Sequence, residues 1–232
     1  MVLFSNTSFN FGVINCCKKC KSNQIIKSGK TSNNKQRFFC KSCSYRFIDN
    51  YTYKAYQQNI NDSIIALTKE SVSIRGTARL LGISPTTLLS RIINISRNIV
   101  QPPIAIGKIF QVDEMRTFIK RKDKLIWIVC ALEQETKRIV SFNIGRRTNK
   151  TLYKVICSLE LSNPKKIMTD KLKNYNYLIK NEIHSTKYRG TNSIERKNLS
   201  IRTHLKRLNR KTICFSRSLI ILNAILKIYF WG

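Results

Sequence analysis

Two matched cysteine pairs near the start of the chain constrain its fold more than any other feature. Cys17-Lys18-Lys19-Cys20 is followed, after 19 residues, by Cys40-Lys41-Ser42-Cys43. Each pair places two thiolates on one tight knuckle, and two such knuckles can close a single tetrahedral site of the kind zinc takes. A unit of about 50 residues lacks the core to fold alone, so a structural Zn²⁺ held by Cys17, Cys20, Cys40 and Cys43 would supply much of its stability. The alternative is four buried reduced thiols. Cys16 offers a second register for the first pair, and Cys17 is preferred because it keeps the two pairs alike. Between the knuckles, residues 24–30 and 36–39 read as strands of a hairpin turning at 31–35, which is a zinc-ribbon pattern.

A second pattern follows at 60–99. Asp62 opens an apolar-faced helix to about Glu70, and residues 73–81 read as another helix closed by Gly82. Ser84-Pro85 supplies an N-cap and a first-turn proline for a third helix through about Ile95. Small Ala78, the turn glycine, and apolar Ile83 and Leu88 suit two helices crossing over a tight turn. This predicts a helix-turn-helix. Its third helix leaves Thr86, Thr87, Ser90, Arg91 and Asn94 free to meet base edges or phosphates in a major groove. The plainer reading is a three-helix packing module with a solvated face.

Charge narrows the choice of partner. Against 43 Lys and Arg stand 12 Asp and Glu, a net charge of +31 over 232 residues. It is spread along the chain: +8 in 1–50, +5 in 51–108 and +18 in 109–232. A compact monomer with this surplus repels itself unless a polyanion shares its surface, which argues against an ordinary metabolic enzyme. DNA or RNA is the first partner to expect, and an acidic membrane surface is the rival. The stretch 218–231 (SLIILNAILKIYFW) is too short to span a bilayer and contains Asn223 and Lys227, so it reads as a core helix. Met1 to Thr7 lacks a basic start followed by an apolar run, which predicts no secretory signal and a cytoplasmic chain with reduced thiols.

From Ile109 the pattern changes to strands at 109–120, 124–132 and 138–144. A helix at 150–161, a strand at 166–169, a helical segment at 172–179 and a strand near Ile183 follow. This order predicts a sheet domain of the α/β or α+β class. Its acids are more telling than its bases. Asp113 lies on the first strand. Asp170 is the only acid from 161 to 181, and Glu195 the only one from 187 to 217, among ten basic residues. Such isolated carboxylates are either salt-bridge partners or metal ligands. On a continuous helix Glu195, Arg202 and Lys206 fall within about 20° of one line, beside an apolar stripe of Ile194, Ile201, Leu205 and Leu208. Seven residues span ~10 Å of helix, so Arg202 is placed to hold a phosphate near a metal at Glu195 without neutralising Glu195, with Lys206 farther along the same face. Glu114, adjacent to Asp113 on a strand, is expected to face the opposite side.

At these residues the sequence resembles the insertion sequence 1 family of DDE transposases. The resemblance rests on Gln111-Val112-Asp113-Glu114, on Met168-Thr169-Asp170, and on Ile194-Glu195-Arg196-Lys197-Asn198-Leu199 after 24 residues. The basic run from Arg202 to Ser216 is its most specific part, and it covers nearly the whole chain because that family also begins with a four-cysteine finger and a helix-turn-helix. It implies a multidomain α/β protein: a zinc-ribbon domain at 1–50, a helix-turn-helix domain at 60–99 and an RNase H-like DDE catalytic domain at 108–232, a mixed sheet with flanking helices.

The resemblance also implies that Asp113, Asp170 and Glu195 hold two catalytic Mg²⁺ or Mn²⁺ ions. It implies binding to the terminal inverted repeats of an insertion element, cleavage and transfer into target DNA, a homo-oligomer when ends are paired, a DNA-associated place in a prokaryotic cell and no membrane. Thr86, Thr87, Ser90, Arg91, Arg202 and Lys206 are the expected DNA contacts. One departure is Lys171, where the family often has glycine; it sets an extra cation beside the metals. A catalytically inactive zinc-ribbon and helix-turn-helix regulator is the competing expectation.

Overall fold

The computed structural model describes residues 15–48, 52–57, 59–187, 190–209, 211–212, 214 and 216–232. The opening segment read above for a secretory signal, together with Asp49 and with Arg210, Ile213 and Phe215 of the basic run, lies outside the described residues. The chain divides into two units, 1–57 and 58–232.

In the first unit the backbone turns where the sequence supplies residues that tolerate positive φ. Lys21 and Ser44 adopt it beside the two cysteine knuckles, and Asn34 adopts it in the hairpin turn. Strands β1 (Ile25–Lys30), β2 (Gln36–Cys40) and β3 (Arg46–Ile48) form an antiparallel sheet in that order. The hairpin closes through Thr31 and Lys35, which share a backbone hydrogen bond of 2.9 Å. The sequence marked β1 and β2 but not β3, whose three residues are too few to show a period. The core is small: Cys17, Cys40 and Phe47 are buried, with Ile25, Phe38 and Cys43 against them. Two of these three buried residues are thiols, so the stability of this unit depends on what the thiols bind.

The second unit opens with three helices, α1 (Ile60–Lys69), α2 (Ile74–Leu81) and α3 (Pro85–Asn98). Ser84 Oγ accepts from the Thr87 N–H at 3.0 Å, the cap the sequence predicts, and Ser73 Oγ accepts from the Gly76 N–H at 3.0 Å, a cap it did not mark; α1 begins at Ile60, two residues before Asp62, where the sequence placed its start. Gly82 ends α2 at φ 62°, a left-handed conformation costly for any residue with a Cβ. Ile64, Ala78, Leu88 and Ile92 point inward.

After a Pro102-Pro103 break, five strands follow: β4 (Ile109–Ile119), β5 (Arg121–Glu133), β6 (Ile139–Gly145), β7 (Lys166–Met168) and β8 (His184–Ser185). The order across the sheet is β6-β5-β4-β7-β8. The first three form an antiparallel meander, and β7 and β8 run parallel to β4. Four helices complete the unit: α4 (Asn149–Glu160), α5 (Lys173–Leu178), α6 (Asn192–His204) and α7 (Leu219–Trp231).

Alternation along the strands sorts the core into two layers. Phe110, Val112, Val129 and Ala131 pack against Leu152, Val155, Ile156 and Leu159 of α4 and Tyr175 of α5. Met115, Ile128, Cys130 and Leu132 pack against Ile194 and Ile201 of α6 and Leu222 and Leu226 of α7. Cover on both faces explains why β5 reads as an unbroken apolar run, Leu125 to Leu132, and not as an alternation. This mixed sheet flanked by helices is the RNase H-like arrangement. Helix α7 is apolar around much of its girth because it packs against the sheet on one side and against α1 and α3 on the other.

One expectation about the helices is corrected. The long helix predicted to carry Glu195, Arg202 and Lys206 on one line stops at His204, where Leu205 takes φ −92° and ψ 87°. A single 3-10 turn, Lys206–Leu208, then brings Leu208 into the core beside Leu205. Lys206 is exposed on that turn and shares no helical line with Glu195.

Candidate active site and metal centres

The cysteine site is built by the two knuckles. The Cys17 N–H bonds to the Ser22 carbonyl at 2.7 Å and the Cys40 N–H to the Tyr45 carbonyl at 3.0 Å, folding each loop around its own pair of sulfurs. Ser22 and Ser42 hydroxyls meet at 2.7 Å and join the loops. The sulfurs of Cys17 and Cys43 lie 3.7 Å apart and those of Cys20 and Cys40 3.6 Å apart, with all four within 4.8 Å of one another. A tetrahedron with metal–sulfur bonds of ~2.3 Å has edges of about 3.8 Å, so the four thiols already stand at the corners of a metal site. Burial pushes the Cys17 thiol up, but the N–H groups of Cys20 and Lys19 and the thiols of Cys20 and Cys43 outweigh it and bring it down to about 6. Backbone donors aimed at sulfur favour the thiolate, the form that ligates. Cys16 is exposed and stands outside the group.

The acids gather at one end of the parallel part of the larger sheet. Asp113 on β4 faces α6, where it accepts from Asn198 Nδ2 at 2.8 Å. Asp170 follows β7, and its Oδ1 accepts from the Leu172 N–H at 3.0 Å, turning the chain into α5. Glu114 points to the other face: Tyr175 Oη donates to its Oε1 at 2.5 Å and Arg147 Nη2 to its Oε2 at 3.1 Å. The opposite-face expectation for Glu114 therefore describes its direction. It misses its reach, because one carboxylate oxygen each from Asp113, Glu114 and Asp170 lie within 4.8 Å of one another.

Glu195 stands apart from that trio. It is exposed on the first turn of α6, where Thr191 Oγ1 donates to its Oε1 at 2.7 Å. Even so, it lines the same open cavity of about 810 Å³ as Asp113, Glu114 and Asn198, with Arg202, Asn209, Lys211 and Thr212 on the remaining wall. Helix α6 is fastened to β4 by the Asn198–Asp113 bond and by Gln111 Oε1, which accepts from the Ile194 N–H at 2.9 Å.

Burial pushes the Asp113 carboxyl up to about 6, with the charges of Glu114 and Asp170 adding to it; the Glu114 N–H and Asn198 pull the other way without prevailing. Carboxylates held together against their own repulsion form a site whose charge a divalent cation would offset. Burial, and the Glu114 charge after it, keep the Tyr175 hydroxyl protonated as a donor.

Among the other expected contacts, Thr86 and Ser90 are exposed on α3, whereas Thr87 shares its hydroxyl with the Ser84 cap at 2.8 Å. Arg91 donates to Asn61 Oδ1 of α1 at 3.4 Å. Arg202 borders the acid cavity and Lys206 does not. Sequence reasoning missed Asn198, Gln111, Arg147 and Tyr175. Asn198 was within reach, because it lies three residues after Glu195 and so on the same helix face. The others act between elements far apart in the sequence and carry no local signal.

An RNase H-like sheet with an acid cluster at the end of its parallel strands defines the core of a DDE-type transposase. Residues 108–231 match the family model described as IS1 transposase. The chain belongs to the IS1 transposase family. It is 34% identical over 113 residues to the insertion element iso-IS1n protein InsB of Shigella dysenteriae, covering 49% of this chain and 86% of that protein. It is 32% identical over 119 residues to the insertion element IS1 2 protein InsB of Escherichia coli K12, covering 51% and 71%. Among solved structures, the HTLV-2 integrase catalytic core domain in complex with magnesium (dimeric form) aligns at 20% identity and TM-score 0.37, over 55% of this chain and 87% of that one.

Proposed function

We propose that this chain binds the terminal inverted repeats of its own element and catalyses DNA strand cleavage and strand transfer into target DNA. The observation that carries the reading is the shared cavity: Asp113 of the acid trio and the exposed Glu195 line one space, with Arg202 and Lys211 on its wall. The proposed functional parts are a zinc-bound DNA-binding ribbon at 1–50, a helix-turn-helix at 60–99 and a catalytic domain at 108–232. Chains pair on the element ends as an oligomer. Among the described residues no helix is long and apolar enough to cross a membrane, and the proposed place of work is the DNA of a prokaryotic cytoplasm.

Asp113, Asp170 and Glu195 would hold Mg²⁺ or Mn²⁺, which when bound activates a water or a 3′-hydroxyl and stabilises the departing oxygen at phosphorus. The chain's own residues do the rest. Asn198 fixes the direction of the Asp113 carboxylate, and Gln111 fixes the helix that carries Glu195. Arg202 and Lys211 supply cations to the phosphate backbone entering the cavity, and Thr212 a hydroxyl. Thr86 and Ser90 of α3 face a major groove, and Lys206 adds charge beyond the cavity rim. Cys17, Cys20, Cys40 and Cys43 hold Zn²⁺.

The test is to change Asp113, Asp170 or Glu195 singly to Ala. Each variant is expected to lose cleavage and strand transfer by at least about a thousandfold while still retarding end DNA in a gel, since an unshielded phosphoryl transfer loses most of its transition-state stabilisation. Wild-type protein that binds the ends yet shows no metal-dependent cleavage would instead establish the inactive regulator.

A further inference from the structure

The spacing of Asp113 and Asp170 is a problem that the sheet itself does not solve. Strands β4 and β7 pair at Ile109–Lys166, Phe110–Ile167 and Gln111–Met168, and the ladder ends there. Both aspartates lie two residues past that last rung. Beyond it Thr169 bonds away from β4, its N–H to the Ser185 carbonyl of β8 at 3.1 Å. Backbone hydrogen bonds therefore do not set the gap between the two carboxylates.

A side-chain tie spans that gap. Tyr175, fully buried on α5, reaches Glu114 on β4 at 2.5 Å, and α5 begins three residues after Asp170. The tie is short and desolvated: the Glu114 side chain is 2% exposed. Its other oxygen is taken by Arg147, whose guanidinium lies 4.5 Å over the Trp127 ring. Arg147 offsets a charge that would otherwise stand uncompensated beside two acids. Glu114 thus joins the strand bearing the first aspartate to the helix that follows the second.

We infer that Glu114, clamped between Tyr175 and Arg147, is a positioning residue that sets the distance between Asp113 and Asp170 for divalent-cation binding. This rests on the two-metal reading above. Residues that orient metal ligands through one hydrogen bond typically cost 10–100-fold in metal affinity when changed. Tyr175→Phe keeps the ring and its packing and removes only the donor.

The experiment is Mn²⁺ binding to the full chain, followed by the loss of free-ion electron spin resonance signal, in wild type, Tyr175→Phe, Glu114→Gln and the double variant. The expected result is about tenfold weaker binding in Tyr175→Phe with native circular dichroism, and little further loss when Tyr175→Phe is added to Glu114→Gln. Losses that add would show that the hydroxyl acts otherwise than through Glu114 and would overturn the inference. Wild-type affinity in folded Tyr175→Phe, or in Arg147→Lys should that chain fail to fold, overturns the inference and leaves the catalytic reading standing. A wild-type chain that takes up no Mn²⁺ overturns the two-metal reading as well.

Discussion

Asp113 shows what a charged site costs the fold that carries it. In the folded chain its carboxyl titrates near 6 against an ordinary 3.8, so between those values the folded protein keeps a proton that the unfolded chain has released. Stability therefore falls as pH rises from about 4 to about 6 and stays lowered above. The size is on the order of 3 kcal/mol in the absence of metal. Asp113→Asn removes the penalty. In the presence of a chelator this variant is expected to melt higher than wild type at pH 8 and level with it near pH 4; equal melting temperatures at both would show that the acids are relaxed by solvent. The variant that gains stability is also one expected to lose catalysis, as sites built for function commonly trade one against the other.

At the scale of elements, local chemistry was legible and partnership was not. The Ser84-Pro85 start and the Gly82 stop of the helix-turn-helix were readable because a capping hydroxyl, a first-turn proline and a left-handed glycine each act within one turn. Ser84→Ala is expected to cost about 1 kcal/mol, seen as a lower urea midpoint for residues 58–232, since the Thr87 N–H loses its acceptor. No change in the midpoint would mean that water replaces the cap fully.

The four cysteines were readable for the same local reason. The exit of α6 at His204 was not, because the break serves Leu205 and Leu208 in a core assembled from distant strands and α7. Glu114 marks the same boundary. Strand alternation gave its direction, whereas its proximity to Asp170 depends on where β7 ends, which no periodicity records.

The whole molecule holds two units with different sources of stability. Among the described residues of 1–57 the core cluster is Cys17, Cys40 and Phe47, two of them thiols, while 58–232 have apolar layers on both faces of a sheet. Stripping zinc with a chelator, or Cys40→Ser, is expected to unfold the first unit and weaken end binding while the second keeps its melting transition. A joint loss of both would show that the units depend on one another, and end binding that survives unfolding would take the ribbon out of DNA recognition. The +31 charge belongs to the whole chain. Against that surplus the acids in 109–232 become conspicuous.

Helix α7 supports the helices on one side and the sheet on the other, and both Lys69 and Lys227 reach across to bind carbonyls at its junction with α1 and α3. One helix thus serves two cores at once, so whatever loosens α7 loosens the helix group and the sheet together, and residues 58–232 are expected to melt in a single transition.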